Sequence, residues 1–255
     1  VSVSAGALAE GPLTRKKWKK EPAMKKMLTI IASVVLVLGF SHGASAWILV
    51  ADQGETGWRT YVYTAGPEGF TGSAGFMVSN VIDTSAYSEL LLDNLSQGGA
   101  GNPGFETGNL SGYDLLGTSF ATVSVSATSI SGNTYNPTQG DFLAVIQGVY
   151  SGIDTSQFYN GTGQAGTVGS ILETGITLAP GEEFSFNWAF LGNDYTPWND
   201  FALFYLKDPT SGAIVFSDGL AQIGSDPVPV PSSLLLLGSG LLGLLGLIGK
   251  TRNQD

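Results

Sequence analysis

Between Glu183 and Leu191 the chain reads Glu-Phe-Ser-Phe-Asn-Trp-Ala-Phe-Leu, with Phe184, Phe186, Trp188 and Phe190 at every second position. Period two is the repeat of an extended strand, whose successive side chains leave opposite faces. Four large rings on one face demand a second apolar layer to cover them. The neighbouring segments carry the same signature. Ala121 to Ile130 alternates apolar and hydroxyl residues as a half-buried strand, and Asp141 to Gln147 is apolar enough for an interior one. Ser170 to Leu178 leads into the turn Ala179-Pro-Gly-Glu182. Asp200 to Leu206 is a further strand, followed by the turn Lys207 to Gly212 and by Ala213 to Phe216. Thr84 to Leu92 fits a helix or a strand leading into the Gly-rich loop 98–104. Residues 47–225 are therefore expected to form one all-β domain, an antiparallel β-sandwich.

Charge is distributed in blocks. Seven of the eleven basic residues fall between Arg15 and Lys26, and Lys250 and Arg252 sit near the C-terminal end. From Trp47 to Val230 the cations are Arg59 and Lys207 against 18 carboxylates, a formal net charge of −16. Such a body repels phosphate backbones, so no nucleic-acid partner is expected. Its acidity serves solubility through self-repulsion, or attracts Ca²⁺. The chain contains no Cys, and its single His is His42. If the segment holding His42 is removed, the mature protein has neither residue. Ser–His–Asp and Cys–His catalysis and imidazole- or thiolate-bound metals are then excluded, and carboxylate chemistry is what remains.

His42 lies where removal is expected. Met24-Lys-Lys-Met27 is a short basic start, Leu28 to Phe40 is a 13-residue apolar run, and Ser41 to Ala46 ends in Ala44-Ser-Ala46. These are the three regions of a secretory signal peptide, here residues 24–46. Small side chains at Ala44 and Ala46 suit the peptidase, so cleavage is expected before Trp47. The implied partners are the Sec translocon and signal peptidase. Residues 1–23 read as a start assigned too far upstream, with Met24 as initiator, or as a basic pre-extension.

The C-terminal end has a matching organisation. Residues 226–233 form a Pro-rich spacer, residues 234–249 a Leu/Gly-rich run, and residues 250–255 a basic tail with Lys250 and Arg252. Prolines keep the spacer extended. Val230 to Gly249 is 20 residues, about 30 Å as a helix, enough to cross a bilayer with its cations on the cytoplasmic side. Pro229-Val230-Pro231-Ser232-Ser233, followed by this run and a basic end, resembles the PEP-CTERM sorting signal of Gram-negative bacteria. Val230 stands where that family usually has Glu. The resemblance implies a membrane thiol protease, an exosortase, as processing partner. It also implies export across the inner membrane, transient anchoring, and delivery to the cell surface or beyond it.

A second resemblance lies inside the acidic body. Gly104-Phe-Glu-Thr-Gly-Asn-Leu-Ser-Gly-Tyr113 is similar to the opening phrase of galactose-binding-like jelly-roll domains, and Pro180-Gly-Glu-Glu-Phe-Ser-Phe-Asn-Trp188 suits such sandwiches. Tyr113 replaces a frequent Trp. The resemblance implies a jelly-roll-like β-sandwich with the Phe105 position in the core, and it assigns no ligand.

Candidate chemistry gathers in Gly192-Asn-Asp-Tyr-Thr-Pro-Trp-Asn-Asp200. Asn193, Asp194, Asn199 and Asp200 are hard oxygen donors of the kind Ca²⁺ takes in sets of six to eight. The same residues also make Asx turns that satisfy their own backbone. Tyr195 and Trp198 can stack on a sugar ring, whereas Trp188 belongs to the core. Glu182 and Glu183 are adjacent and point apart, which does not suit a glycosidase pair. The expected role is a non-enzymatic structural or adhesive envelope protein, associated with exopolysaccharide or biofilm matrix. The alternatives are a surface-displayed carbohydrate-binding module and a carboxylate-dependent hydrolase.

Overall fold

A computed structural model describes residues 47–83 and 85–224. The expected leader with Ala44 and Ala46, the motif Pro229, Val230, Pro231 and Ser232, the membrane helix 234–249 and the tail cations Lys250 and Arg252 lie outside the described residues. Among those described, no helix is long and apolar enough to cross a membrane.

The described chain is all-β. In order, its strands are β1 (Ile48–Val50), β2 (Arg59–Thr64), β3 (Phe70–Ser79), β4 (Glu89–Asp93), β5 (Asp114–Leu115), β6 (Phe120–Ser124) and β7 (Ala127–Thr128). There follow β8 (Thr134–Tyr135), β9 (Leu143–Gln147), β10 (Ile153–Asp154), β11 (Val168–Leu178), β12 (Glu183–Leu191), β13 (Phe201–Lys207) and β14 (Ile214–Ile223). A single 3₁₀ turn spans Gly99–Gly101. One sheet runs β1-β14-β13-β3-β11-β10, with β5 also on β11; the other runs β2-β12-β4-β9-β6; β7 and β8 form a small ribbon. All pairs are antiparallel except β1 with β14, which align in parallel from Ile48 opposite Ala221 to Val50 opposite Ile223.

The two large sheets pack face to face. The β12 rings Phe184, Phe186, Trp188 and Phe190 share one buried cluster with Phe76 and Val78 of β3 and with Phe204 and Leu206 of β13. Phe76 meets Phe186 edge-on at 4.9 Å, and Phe204 stacks on Phe184 at 5.8 Å. Burial of these rings is the main favourable term in the fold. Each sheet is also covered on its outer face. Met77, Phe201, Leu203 and Tyr205 pack with Phe158, Trp47 and Ile153 outside the first sheet. Leu91, Ala189 and Leu191 pack with Leu143, Tyr135 and Trp58 outside the second. Double coverage explains why β13 reads as a continuous apolar run rather than an alternating one.

Several local expectations are refined. Ala121 to Ile130 is not one strand. β6 stops at Ser124, whose hydroxyl donates to the Ser126 carbonyl at 2.6 Å, and the chain re-enters the ribbon at Ala127. The hydroxyl-rich sequence supplies its own turn partners there. Of the segment expected to be a helix or a strand, the part from Glu89 is a strand, and Glu89–Asp93 pairs on both sides, with β12 and β9. The last strand continues past Phe216 to Ile223. Gly104 to Tyr113 forms the loop between β4 and β5, with Phe105 fully buried and stacked on Tyr113 at 4.7 Å.

Candidate functional site

The expected donor residues lie where β12 ends and β13 begins, at the pole of the sandwich reached by loops 51–57, 80–88 and 192–200. Asp200 precedes β13 and is fully buried. Its Oδ1 accepts the Val81 backbone N–H at 3.1 Å, and its Oδ2 accepts the Ser88 hydroxyl at 2.8 Å. The Ser88 hydroxyl in turn accepts the Asn193 N–H at 3.2 Å, while Asn193 Nδ2 donates to the Tyr87 carbonyl at 2.8 Å. Asp194 is 1% exposed, and its Oδ1 accepts the Tyr195 N–H at 2.8 Å. Asp52 receives the Thr196 N–H at 2.9 Å. The chain leaves the domain beside this pole: Ile223 N–H donates to the Asp200 carbonyl and Gly224 N–H to the Val50 carbonyl.

Burial pushes the Asp200 carboxyl well above its ordinary value; the Ser88 hydrogen bond opposes the rise, and Asp194 and Asp83 add to it. Asp194 is raised as well, mainly by burial, with the Tyr195 N–H opposing and Asp83 and Asp52 contributing. Among the described residues, Arg59 and Lys207 are the cations. Lys207 is paired with Glu173, and Arg59 is an exposed residue of β2. Among the described residues, no cation therefore neutralises the pole.

Six buried side-chain polar atoms among the described residues lack a hydrogen-bond partner, and five belong to this region. They are Asn193 Oδ1, Asp194 Oδ2, Asn199 Oδ1 and both amide atoms of Asn80. An unpartnered buried polar atom carries a desolvation penalty of roughly 1–3 kcal/mol, so such a concentration calls for a ligand or water. Asn80, Val81 and Ser88 were not signalled by the sequence. They come from the ends of β3 and β4, more than a hundred residues from Asp200, and only the Asx-rich wording around Asn80 and Asp83 hinted at them. No three carboxylates among the described residues converge as a metal cluster, so amide and carbonyl oxygens must complete any cation shell here.

Tyr195 and Trp198 are together in the same loop, ring centroids 4.7 Å apart at 86°. The edge-to-face arrangement turns one ring into the other and does not make a coplanar stacking platform. Tyr87 and Tyr150 stack at 6.3 Å, with Tyr150 strongly exposed. Trp188 is in the core. Glu182 and Glu183 are exposed; Glu182 closes its turn by accepting the Ala179 N–H at 2.7 Å and the Gln97 amide at 2.7 Å. On the outer face of the first sheet, the buried Glu173 carboxylate receives Tyr205 and Lys207 together. Beside it, β3 and β11 floor an open groove of about 390 Å³ lined by Thr71, Ser73, Gln97, Ile176, Thr177 and Pro209.

Comparison with known proteins finds no match to a family model, to a curated protein or to a solved structure.

Proposed function

We propose that this chain is an exported envelope protein with a non-enzymatic structural or adhesive role, its sandwich carried between a cleaved leader and a PEP-CTERM-like sorting tail. One observation carries the reading. The sandwich joins its own first and last strands, β1 and β14, so both flanking segments are appendages to a finished domain. Trp47, the residue expected after leader cleavage, already packs edge-on against Phe201 at 5.8 Å. The Pro-rich spacer begins just beyond Gly224, which bonds to Val50. A domain so bounded suits display on a tether and release from it. The proposed partners are the Sec translocon, signal peptidase, an exosortase-like protease and exopolysaccharide.

The jelly-roll reading is supported by nested pairing. β1 lies with β14, β2 with β12, β3 with β11 and β4 with β9, as in an antiparallel ribbon rolled into two sheets. The parallel sense of β1 is the departure from that pattern.

The test is intact mass and cell fractionation of the protein in its own host, with and without the exosortase-like gene. A product running from Trp47 to near Pro231, lost on deletion of that gene, is the expected result. A retained tail in both strains would replace sorting by simple membrane anchoring.

A further inference from the structure

We propose that the pole formed by Asn193, Asp194, Asn199 and Asp200 with Asn80 is a Ca²⁺ site that braces the root of the C-terminal tether. Two independent observations meet there. The first is charge. Asp200 and Asp194 are both buried, Asp83 and Asp52 act on them electrostatically, and the described cations lie elsewhere or are paired. Buried carboxylates without counter-charge are strongly unfavourable, and a divalent ion removes that cost for two of them at once.

The second is the orphaned oxygen set. Asp194 Oδ2, Asn193 Oδ1 and Asn199 Oδ1 are buried without partners on the loop that also positions Asp200. Asn80 comes from a different segment, just past the end of β3, is fully buried, and has neither amide atom bonded. Its side chain reaches across the seam between the sheets. The point where a Cβ on Gly148 would sit is 2.6 Å from Asn80 Oδ1 and 3.5 Å from the carbonyl of Ser88, the residue whose hydroxyl holds Asp200. The Tyr195 N–H accounts for Asp194 Oδ1, but it leaves these other atoms unexplained. Hard oxygens of mixed charge, in a protein without Cys and with His42 as its single His, select Ca²⁺ over softer metals. Asp194 and Asp200 supply the charge, the Asn side chains supply neutral carbonyl oxygens, and water completes the shell. With Ile223 bonded to the Asp200 carbonyl and Gly224 to the Val50 carbonyl, an ion at this pole ties loop 192–200 to the strand from which the tail departs. The site does not depend on how the tail is processed, so its failure and the failure of the sorting reading are separable.

The experiment uses the full chain purified in detergent, stripped with EGTA and dialysed against about 1 mM CaCl₂, the weak end of the range for extracellular modules. Bound metal is counted by mass spectrometry, melting is followed with and without Ca²⁺, and Tb³⁺ luminescence sensitised through Trp198 is competed with Ca²⁺. One Ca²⁺ per chain and a Ca²⁺-dependent rise in Tm are expected, with Asp194→Asn weakening the affinity about tenfold or more through its lost ligand charge. Asn193→Ala is the second variant, should Asp194→Asn fail to fold, and it too should weaken binding. A wild-type chain that binds no Ca²⁺ and melts unchanged would overturn the proposal. Full-strength Ca²⁺ binding by both variants would also overturn it, by locating the ion elsewhere.

Discussion

The ring of Tyr205 lies flat against the backbone of Gly75 on the neighbouring strand, so that a Cβ at residue 75 would fall 2.5 Å from both Cε1 and Cε2 of the tyrosine. Glycine at this position is a requirement of packing: the close approach brings the Tyr205 hydroxyl to Glu173 on β11. Gly75→Ala should destabilise the domain by about 2–3 kcal/mol through overpacking, read as a lower midpoint of urea unfolding with an unchanged slope. An unchanged midpoint would mean that the tyrosine moves aside freely.

Lys207 should matter through the same carboxylate. Glu173 is almost wholly buried, while Lys207 is about a quarter exposed. Lys207→Met strands the carboxylate with Tyr205 as its remaining side-chain partner and should lower stability by about 2 kcal/mol, discounted from a fully buried pair for solvent at the lysine. Adding Glu173→Gln should restore part of that loss. A double-mutant cycle measures the coupling, and strict additivity would show that the pair contributes nothing.

Glu89 gives the fold a pH dependence. Burial holds its carboxyl above the ordinary 4.5, opposed by the Gln147 amide at 2.9 Å. A carboxyl raised on folding contributes fully below its unfolded value, and that contribution is lost as pH rises through the folded one. Glu89→Gln should therefore melt higher than wild type at neutral pH, with the difference shrinking to nothing below pH 4.5. A gap that persists in acid would assign the effect to packing instead.

Trp47 secures the first strand. Its indole fills the space left by the missing side chains of Gly219 and Gly161, closely enough that a Cβ at either would collide with it. Trp47→Ala should cost about 3 kcal/mol, in the range for deletion of a large packed aromatic, and should raise amide exchange at Ile48 to Val50 and at Ala221 to Ile223 first. Uniform exchange across the domain would show that β1 is not a separately opening unit.

The parts of this molecule legible in sequence were those set by local period. The β12 rings declared both their strand and their buried face, and the Ala179–Glu182 and Lys207–Gly212 turns were readable from Pro, Gly and Asp. Strand order was not legible, because it depends on which apolar faces meet across long separations. The polar pole was half legible. Asn193, Asp194, Asn199 and Asp200 stand together in sequence, whereas Asn80, Val81 and Ser88 join them only because β3 ends and β4 begins at the same place. The outer-face cluster of Glu173, Tyr205 and Lys207 carried no sequence signal, since its members are ordinary strand residues until β11, β3 and β13 align.

The pairing of β1 with β14 also sets an order of events in time. The first strand of the domain to be synthesised has as its partner the last, and loops closed over nearly the whole domain form slowly. Until Ile214 to Ile223 has been made, one edge of the first sheet is missing and Trp47 lacks the seat that Gly219 gives its indole. The sandwich is thus a clock that stops only when its final strand arrives.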